Sequence, residues 1–406
     1  MKSPHKNHAH AFSRREVLLG MAGCAALSGP LERALAGVPD RNRLRGKRVI
    51  LYTLFGGNDG LNTLVPHRDA LYRHLRPNLG LPEATLLPLT DEVALHPEVT
   101  ELMKLYQAGE VAIVQDVGYP RPNLSHFESM AIWDSGDPVL GSASSTGWYG
   151  DVVVGNRAVF DAAGFDAVAI TFDENLAFAA GEGVPVLQAN QNISAMLHDE
   201  RTPPAHATAS GTPAKLAAII NEGRAVRARL TRRLAAVKPP QWQPYEEPLD
   251  IQSEMTQWFW ANGVSTPLIR IHQGGFDMHA DLLFRHEQAL RTFDRGVAKL
   301  RRMLISMGAW DDTVILVQSE FGRRPSENGF GGTDHGTAGP VFLIGGKVQG
   351  GLYGRRAALD DLDANGNLKF TSDFREVYST LLSNLWALPV NPFGVKGFAP
   401  IPMRLA

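Results

Sequence analysis

The feature that most constrains the fold is a repeated unit, in which a short apolar run ends in glycine or a polar residue and a segment with helical spacing follows. Such runs are KRVILYTLFGG at 47–57, STPLIRIHQGG at 265–275 and DTVILVQSEFG at 312–322. Continuous apolar runs of this length are typical of strands buried on both faces of a parallel sheet. The pattern predicts an α/β fold with a mostly parallel central sheet and helices on both faces.

The segments between these runs have the apolar spacing of amphipathic helices. We predict helices in PEVTELMKLYQAGE (97–110), NLSHFESMAIWDSG (123–136) and the long segment 281–308, and a further strand in VAIVQDVGY (111–119). A last helix is predicted in 371–388, with Thr371 or Ser372 at its N-cap.

The region near 151–260 does not follow the repeated unit. It contains a basic helical segment, KLAAIINEGRAVRARLTRRLAAV, and a loop rich in small residues and proline, TPPAHATASGTPA. We interpret the region as an elaboration of the sheet or a helical cap within one domain spanning 45–400, and the charge on the basic helix as a solvated face.

The N-terminus has the features of an export signal. Arg14 and Arg15 precede a short, mildly apolar run, and ALA at 34–36 offers a cleavage site between small residues. We therefore predict a twin-arginine signal peptide at 1–36, a mature protein that begins near Gly37, transport by the twin-arginine translocase and a periplasmic or extracellular location. The apolar run is too short for a stable membrane span.

Composition excludes two classes of function. Forty Lys and Arg residues against 42 Asp and Glu give a formal charge of -2, so no overall field favours nucleic acid as a partner. The single cysteine, Cys24, lies within the predicted signal peptide. Cleavage after Ala36 would leave no thiol, which excludes cysteine chemistry and disulfides.

Polar residues follow several of the predicted strands. Ligands of open α/β sheets bind outside the carboxyl ends of the strands, where these residues are expected to converge. Any one of them is by itself more typical of a turn or a helix cap. The candidates are Asn58 and Asp59, Ser125 and His126, Asp277 and His279, Glu320, and Asp334 and His335 in the glycine-flanked stretch GGTDHG.

These motifs together resemble a known family. The chain contains the stretches LFGGNDGLNTLVP, AIVQDVGYPRPNLSHFESM, GGFDMHAD, SEFGRRPSENGFGGTDHGTAGPVFLIGG and TSDFREVYSTLL. Together these motifs are similar to the exported bacterial family called domain of unknown function 1501. The resemblance runs from about Lys47 to Gly394. That family is placed in the alkaline-phosphatase-like superfamily, which includes sulfatases, so the resemblance implies an alkaline-phosphatase-like fold.

The resemblance also implies roles for individual residues, taken by their order in the chain. Ser125 corresponds to the nucleophile at a helix N-terminus. Asn58, His126 and Arg323 are candidates for substrate binding, although an Arg on a loop is more often surface charge. The implied metal ligands are Asp59, Asp277, His279, Glu320, Asp334 and His335, with Asp334 as a ligand or as a residue that orients an imidazole.

Two departures from the superfamily pattern bear on the chemistry. Phe321 follows Glu320 where the phosphatases carry a histidine, so a second metal site is weak, differently built from Asn58 or His126, or absent. The stretch around Ser125 lacks the Cys/Ser-x-Pro-x-Arg signal for formylglycine, which argues against a standard sulfatase mechanism.

The resemblance implies a metal-dependent phosphomonoesterase or phosphodiesterase that acts on a small anionic ester. Its cofactor would be one or two divalent ions, with Zn, Mn, Mg and Ca all open. The alternative from another class is a non-catalytic envelope or carbohydrate-binding protein with a degenerate metal site. A sulfuric-ester hydrolase without formylglycine is a third reading.

Overall fold

The computed structural model describes residues 44–137, 146–190, 192–197, 212–243 and 246–405. The predicted signal peptide, with Arg14, Arg15 and Cys24, lies outside this range. Within the described range, no helix combines the length and the apolar character that crossing a membrane would require.

The described strands form a large central sheet and a small antiparallel sheet of β2, β4 and β3. The strands are β1 (Arg48–Leu54), β2 (Leu64–Val65), β3 (Leu87–Pro88), β4 (Ala94–Leu95), β5 (Val111–Gly118), β6 (Ala169–Thr171), β7 (Val186–Gln188), β8 (Leu268–Gln273), β9 (Thr313–Gln318), β10 (Gly339–Ile344), β11 (Gly351–Tyr353) and β12 (Ser372–Asp373).

The central sheet has the order β11-β5-β10-β9-β1-β8-β6-β7, and β12 pairs with β5 beside β11. The pairs of β1 with β8 and β9, of β6 with β7 and β8, and of β5 with β11 and β12 are parallel. Only β10 runs against its neighbours β5 and β9. The predicted α/β fold with a mostly parallel sheet is therefore confirmed.

Helices cover both faces of the central sheet. The helices are α1 (Gly60–Thr63), α2 (Ala70–Leu75), α3 (Thr100–Gln107), α4 (His126–Ser135), α5 (Trp148–Gly155), α6 (Arg157–Ala163), α7 (Ile193–Leu197), α8 (Thr212–Leu234), α9 (Pro248–Ala261), α10 (Leu282–Ser306), α11 (Phe374–Thr380) and α12 (Pro392–Val395).

Alternation along β1 divides the interior into two cores. Ile50 and Tyr52 belong to a core that includes residues of α3, α8, α9 and α10, whereas Val49 and Leu51 belong to a core that includes residues of α4, α5, α6 and α11. Successive side chains of a strand point to opposite faces, so these two cores lie on the two sides of the sheet. This explains why the strand runs read as continuously apolar.

One detail differs from the sequence interpretation, and a second selects between its alternatives. Neither Thr371 nor Ser372 caps α11, because Asp373 takes that position and forms a capping box with Glu376. Within 151–260, the short strands β6 and β7 extend the central sheet beyond β8. That part of the region is an elaboration of the sheet rather than a separate cap.

The sheet brings the candidate residues to one edge. Because β1, β5, β8 and β9 run in the same direction, the loops that follow them leave from the same side of the sheet. These loops carry Asn58, Ser125, Asp277 and Glu320, as predicted from the strand ends.

Candidate metal centre

Three side chains from three of these loops form the centre of the candidate site. His126, Asp277 and His335 each offer one ligand atom, and the three atoms lie within 4.8 Å of one another. We call these three residues the imidazole cluster. Among the described residues it is the group of histidine and acidic side chains whose spacing suits a metal ion.

His126 is the first residue of α4, and the side of its ring away from the cluster contacts the buried acid Glu320. Its Nδ1 lies 2.7 Å from Oε1 of Glu320, and the same oxygen accepts a bond from the Gly56 amide. Nε2 of His126 is buried without a hydrogen-bond partner and lies 3.4 Å from Oδ2 of Asp277. The hydrogen bond to Glu320 comes first among the causes that raise the pKa of His126.

His335 is arranged in the same way with a different acceptor. Its Nδ1 lies 2.7 Å from the carbonyl oxygen of Leu124, in the loop that leads to α4. Its Nε2 lies 3.1 Å from Oδ1 of Asp277. A carbonyl oxygen only accepts, so Nδ1 of His335 carries the proton and Nε2 of the neutral ring is a lone pair.

Asp277 is the carboxylate toward which both rings turn. Burial opposes its ionisation, but the hydrogen bond and the positive charge of Arg323 favour the anion, and the pKa of Asp277 is lowered. The carboxyl group is therefore an anion at neutral pH. It offers oxygen lone pairs to the same space that the two Nε2 atoms face.

These contacts require a positive charge, either on the rings or between the rings and the carboxylate. Two imidazole lone pairs directed at an anionic carboxylate repel it unless the rings are protonated or a cation lies between them. Ligand atoms about 2.0 to 2.2 Å from a tetrahedral ion are roughly 3.4 Å apart. The nitrogen-to-oxygen distances of 3.1 and 3.4 Å, each to a different oxygen of Asp277, are close to that separation.

Arg323 is buried and does not face substrate, contrary to the prediction from sequence. Its guanidinium donates to backbone carbonyls of Gly56, Gly57, Phe276 and Thr333, and to Oδ1 of Asp277 at 2.7 Å. All three of its nitrogens are thus engaged within the protein. Arg323 ties together the loops after β1, β8 and β9 and positions Asp277.

His279 and Asp334 lie on the exposed side of the cluster. Nε2 of His279 is 3.0 Å from Nε2 of His335 and 3.1 Å from Oδ1 of Asp277. Oδ1 of Asp334 is 3.5 Å from Nδ1 of His279. Asp334 is therefore placed to orient the ring of His279 at the rim of the cluster. This agrees with the predicted alternative that Asp334 orients an imidazole.

Phe321 forms an apolar wall where the superfamily pattern has a histidine. Its ring centroid lies 4.9 Å from that of His126 and 4.8 Å from that of His335. Gly57 allows this approach, since a Cβ there would lie 2.5 Å from the Phe321 ring. The side chain packs the two imidazoles instead of adding a ligand.

Asp59, predicted as a ligand, is enclosed in a different cluster. Its Oδ1 accepts from Arg76 at 2.8 Å and from the amide of Asn62 at 2.9 Å, and its Oδ2 accepts from Thr333 at 3.3 Å. Burial opposes ionisation of Asp59, but Arg76 outweighs it and the pKa is lowered. We call Asp59, Arg76, Asn62 and Thr333 the Asp59 cluster.

Asn58 is also an internal residue rather than part of an open surface. Its Oδ1 lies 3.0 Å from Nε2 of His286 and 3.1 Å from Oγ1 of Thr63. Burial lowers the pKa of His286 to about 3, so its ring is neutral and donates to Asn58. Asn58 therefore stabilises the loop after β1 through its Oδ1, and its role in substrate binding stays a prediction.

Ser125 lies at the N-cap position of α4, between two residues that contact the cluster. The preceding carbonyl of Leu124 accepts from His335, and the next residue is His126. Ser125 is exposed, and its hydroxyl makes no capping hydrogen bond. Glu128, the other half of a possible capping box, is bonded by Asn123 instead.

The sequence analysis predicted Glu320 as a metal ligand, and His126 as a substrate-binding residue or a ligand of a differently built second site. Glu320 was predicted as a ligand, but its buried carboxylate lies behind His126, and His126 itself points into the cluster. The spacing of a histidine at the start of the helix after β5 was a signal for a ligand. Sequence gave no means of seeing that Glu320 and Gly56 meet.

A comparison with family models finds one match. Residues 260–388 match the family described as "Protein of unknown function (DUF1501)". Over these residues the match agrees with the resemblance that the sequence motifs indicated. It covers β8 to α11 and so includes Asp277, His335 and Glu320 of the site. No curated protein matches the chain.

Solved structures with a similar arrangement are distant in sequence. A protein of the alkaline phosphatase superfamily from Vibrio parahaemolyticus has 11% identity and a TM-score of 0.42, covering 87% of this chain and 69% of its own. The soluble domain of lipooligosaccharide phosphoethanolamine transferase A from Neisseria meningitidis has 11% identity and a TM-score of 0.43, covering 87% and 92%. The lipoteichoic acid synthase LtaP from Listeria monocytogenes has 12% identity and a TM-score of 0.37, covering 87% and 75%.

Proposed function

We propose that the protein is a metal-dependent hydrolase of phosphoric esters that binds one divalent ion at His126, Asp277 and His335. The observation that carries the proposal is the buried, unpartnered Nε2 of His126, which faces the same carboxylate as Nε2 of His335. Two imidazoles and one carboxylate that leave positions open are a ligand set of catalytic zinc sites.

The ligand chemistry narrows the choice of ion. Imidazole nitrogens suit zinc and other transition metals, whereas magnesium and calcium prefer oxygen ligands. We therefore propose zinc or manganese over magnesium or calcium. A bound divalent ion supplies positive charge that stabilises anionic oxygens of an ester and lowers the pKa of a coordinated hydroxyl or water.

The residues of the chain would supply positioning and the nucleophile. Glu320 and the carbonyl of Leu124 hold the two rings with Nδ1 protonated, which directs both Nε2 lone pairs to one point. Ser125 stands between the residues that make these contacts, with a free, exposed hydroxyl at the N-terminus of α4. We propose that its Oγ gives its proton to solvent and forms a bond to phosphorus, while the bond from phosphorus to the alcohol oxygen breaks and the alcohol leaves with a proton from solvent. Water then attacks phosphorus, the bond to Oγ breaks, and Oγ regains a proton as the phosphate group leaves.

The test of the proposed function measures metal and turnover on the same protein. Purified without chelators, the protein is expected to contain about one equivalent of zinc or manganese by elemental analysis and to hydrolyse members of a panel of aryl phosphate monoesters and diesters. Removal of the ion should abolish turnover, and its return should restore it. Bound metal without turnover on any ester would favour the non-catalytic alternative.

A serine variant separates the nucleophile from a bystander. Ser125→Ala is expected to keep the metal and lose most of the turnover, since the hydroxyl is the reacting group. A folded Ser125→Ala protein that keeps a tenth or more of the wild-type kcat would remove Ser125 from catalysis. Thr63→Ala, which also removes a hydroxyl from the loop region after β1 but one that is internally bonded, is the matched control.

We also propose that the protein is exported by the twin-arginine translocase, on the basis of Arg14, Arg15 and the short apolar run after them. Replacing both arginines by lysine should leave the precursor in the cytoplasm. Normal accumulation of that variant outside the cytoplasm would contradict the proposal.

A further inference from the structure

A wide cleft adjoins the imidazole cluster and has no role in the site described so far. It has a volume of about 730 Å³ and lies beyond the carboxyl ends of β1 and β8, bounded by the starts of α9 and α10. This size falls within the range of about 300 to 1,000 Å³ that is usual for small-molecule sites.

The cleft and the cluster share a wall. Phe55 lines the cleft, and its ring centroid lies 5.5 Å from that of His126. Gly275 also lines the cleft and precedes Asp277 by two residues. A molecule whose ester group reached the cluster would therefore extend its remaining part along this cleft.

Two aromatic side chains and an open floor shape the cleft. Phe55 is 37% exposed and Phe284, at the start of α10, is 68% exposed, although both are large apolar side chains. A Cβ added to Gly274 or Gly275 would meet no atom within 4 Å. The rings thus offer flat apolar surfaces beside an unobstructed backbone.

Beside the apolar Pro248, Leu249 and Ala289, the cleft is lined by polar residues with hydrogen-bonding capacity to spare. Oγ1 of Thr53 and Nδ1 of His272 are buried without a hydrogen-bond partner, and both residues line the cleft. Leaving such an atom unpaired is costly, and a ligand hydroxyl at this wall would offset that cost once the side chain turns toward the cleft. Glu247 makes no capping hydrogen bond at the start of α9 and lines the same space.

The charges of the cleft disfavour other occupants. Asp173 and Glu247 face it together with Arg285, and Arg270 lies 3.5 Å from Asp173 behind this wall, while burial lowers the pKa of His272 and keeps that ring neutral. A second anionic group would meet two carboxylates.

We propose that this cleft binds the sugar part of a sugar phosphate, whose hydroxyls bond Thr53, His272 and Glu247 while its C–H face lies against Phe55 and Phe284. The assignment of the phosphate to the imidazole cluster rests on the proposed function. The binding of the sugar does not depend on turnover.

The first test compares esters that differ only in the alcohol. On the full, metal-loaded protein, at least one member of a panel of hexose 1-phosphates and 6-phosphates should have a kcat/KM at least tenfold above that of methyl phosphate, which is too small to fill the cleft. Phe284→Ala should lower that ratio about tenfold through a higher KM. Ile305→Ala, which removes an exposed apolar side chain at the far end of α10, should leave the ratio unchanged.

The second test measures binding without turnover. Saturation-transfer NMR with the neutral hexoses should show binding to the wild type and its loss in Phe284→Ala. Equal kcat/KM for methyl and hexose phosphates, or a preference for phosphoethanolamine, would overturn the sugar assignment while leaving the hydrolase proposal intact. Hexose binding without hydrolysis of any ester, methyl phosphate included, would overturn the hydrolase and keep the cleft as a sugar site.

Discussion

The Asp59 cluster and the imidazole cluster arise from the same kind of sequence signal but differ in how their polar atoms are satisfied. In the Asp59 cluster, both carboxylate oxygens accept hydrogen bonds from Arg76, Asn62 or Thr333, and the charge is balanced internally. In the imidazole cluster, a ring nitrogen is buried without a partner and faces a carboxylate. The first has no need of an added ion, whereas the second becomes favourable when one binds.

The comparison shows why a strand-end acid is a weak indicator of a ligand. Asp59 and Asp277 follow neighbouring strands, and an arginine contacts each of them. Arg76 forms a buried ion pair with Asp59, which balances the charge within the Asp59 cluster. Arg323 contacts one oxygen of Asp277 and leaves the carboxylate half exposed, so the remaining lone pairs face the two imidazoles.

The largest expected effect separates the two clusters by metal content. Asp277→Asn removes the anionic ligand between the two rings and should eliminate most of the bound divalent metal, measured by elemental analysis after dialysis. Asp59→Asn should keep the metal at the wild-type level. Equal loss in both variants would erase the distinction between the clusters.

The next effect is on stability, and here the change at Asp59 is the one that matters. Asp59→Asn leaves Arg76 buried without its counter-ion and should lower the free energy of unfolding by about 3 to 5 kcal/mol. Because the pKa of Asp59 is lowered in the folded protein, the stability it contributes is fully present above the unfolded pKa and lost as the pH falls through the folded pKa. The difference between wild type and variant, measured by urea unfolding, should therefore be full at neutral pH and shrink only in acid.

A smaller effect is expected from the acid behind His126. Glu320→Gln keeps the shape of the side chain but removes the charge that orients and polarises the ring, so metal affinity should weaken about 10-fold to 100-fold. A competition titration with a chromophoric chelator measures this. Unchanged affinity would show that Glu320 has only a packing role.

The smallest effect concerns the helix start beside the cluster. Since the Ser125 hydroxyl makes no capping hydrogen bond, Ser125→Ala should change the free energy of unfolding by no more than about 0.5 kcal/mol. A true cap would cost about 0.5 to 2 kcal/mol. A loss near the upper end of that range would return Ser125 to a structural role.

Much of the fold was predictable because it depends on local apolar patterns. The runs that became β1, β8 and β9 are buried on both faces, and α10 repeats its buried residues at helical spacing, so both signals are strong in the sequence. The cap of α11 was missed because Thr371, Ser372 and Asp373 are all good capping residues and are adjacent. Only the chain's exit from β12 selects among them.

The site was predictable as a set of residues but not as a set of roles. The strand ends identified Asp277, His335 and Glu320, which do meet at one edge of the sheet. Whether an arginine forms a buried ion pair with an acid, as Arg76 does with Asp59, depends on contacts between residues far apart in the chain. The burial of Arg323 and the position of Glu320 behind His126 also depend on contacts between residues far apart in the chain.

The most direct test of the central claim is anomalous diffraction at the zinc absorption edge from crystals of the metal-loaded protein. We predict one strong anomalous peak about 2.0 to 2.2 Å from Nε2 of His126, Nε2 of His335 and a carboxylate oxygen of Asp277. A zinc-loaded crystal with no peak among these three residues, or with its peak at Asp59, would contradict the account.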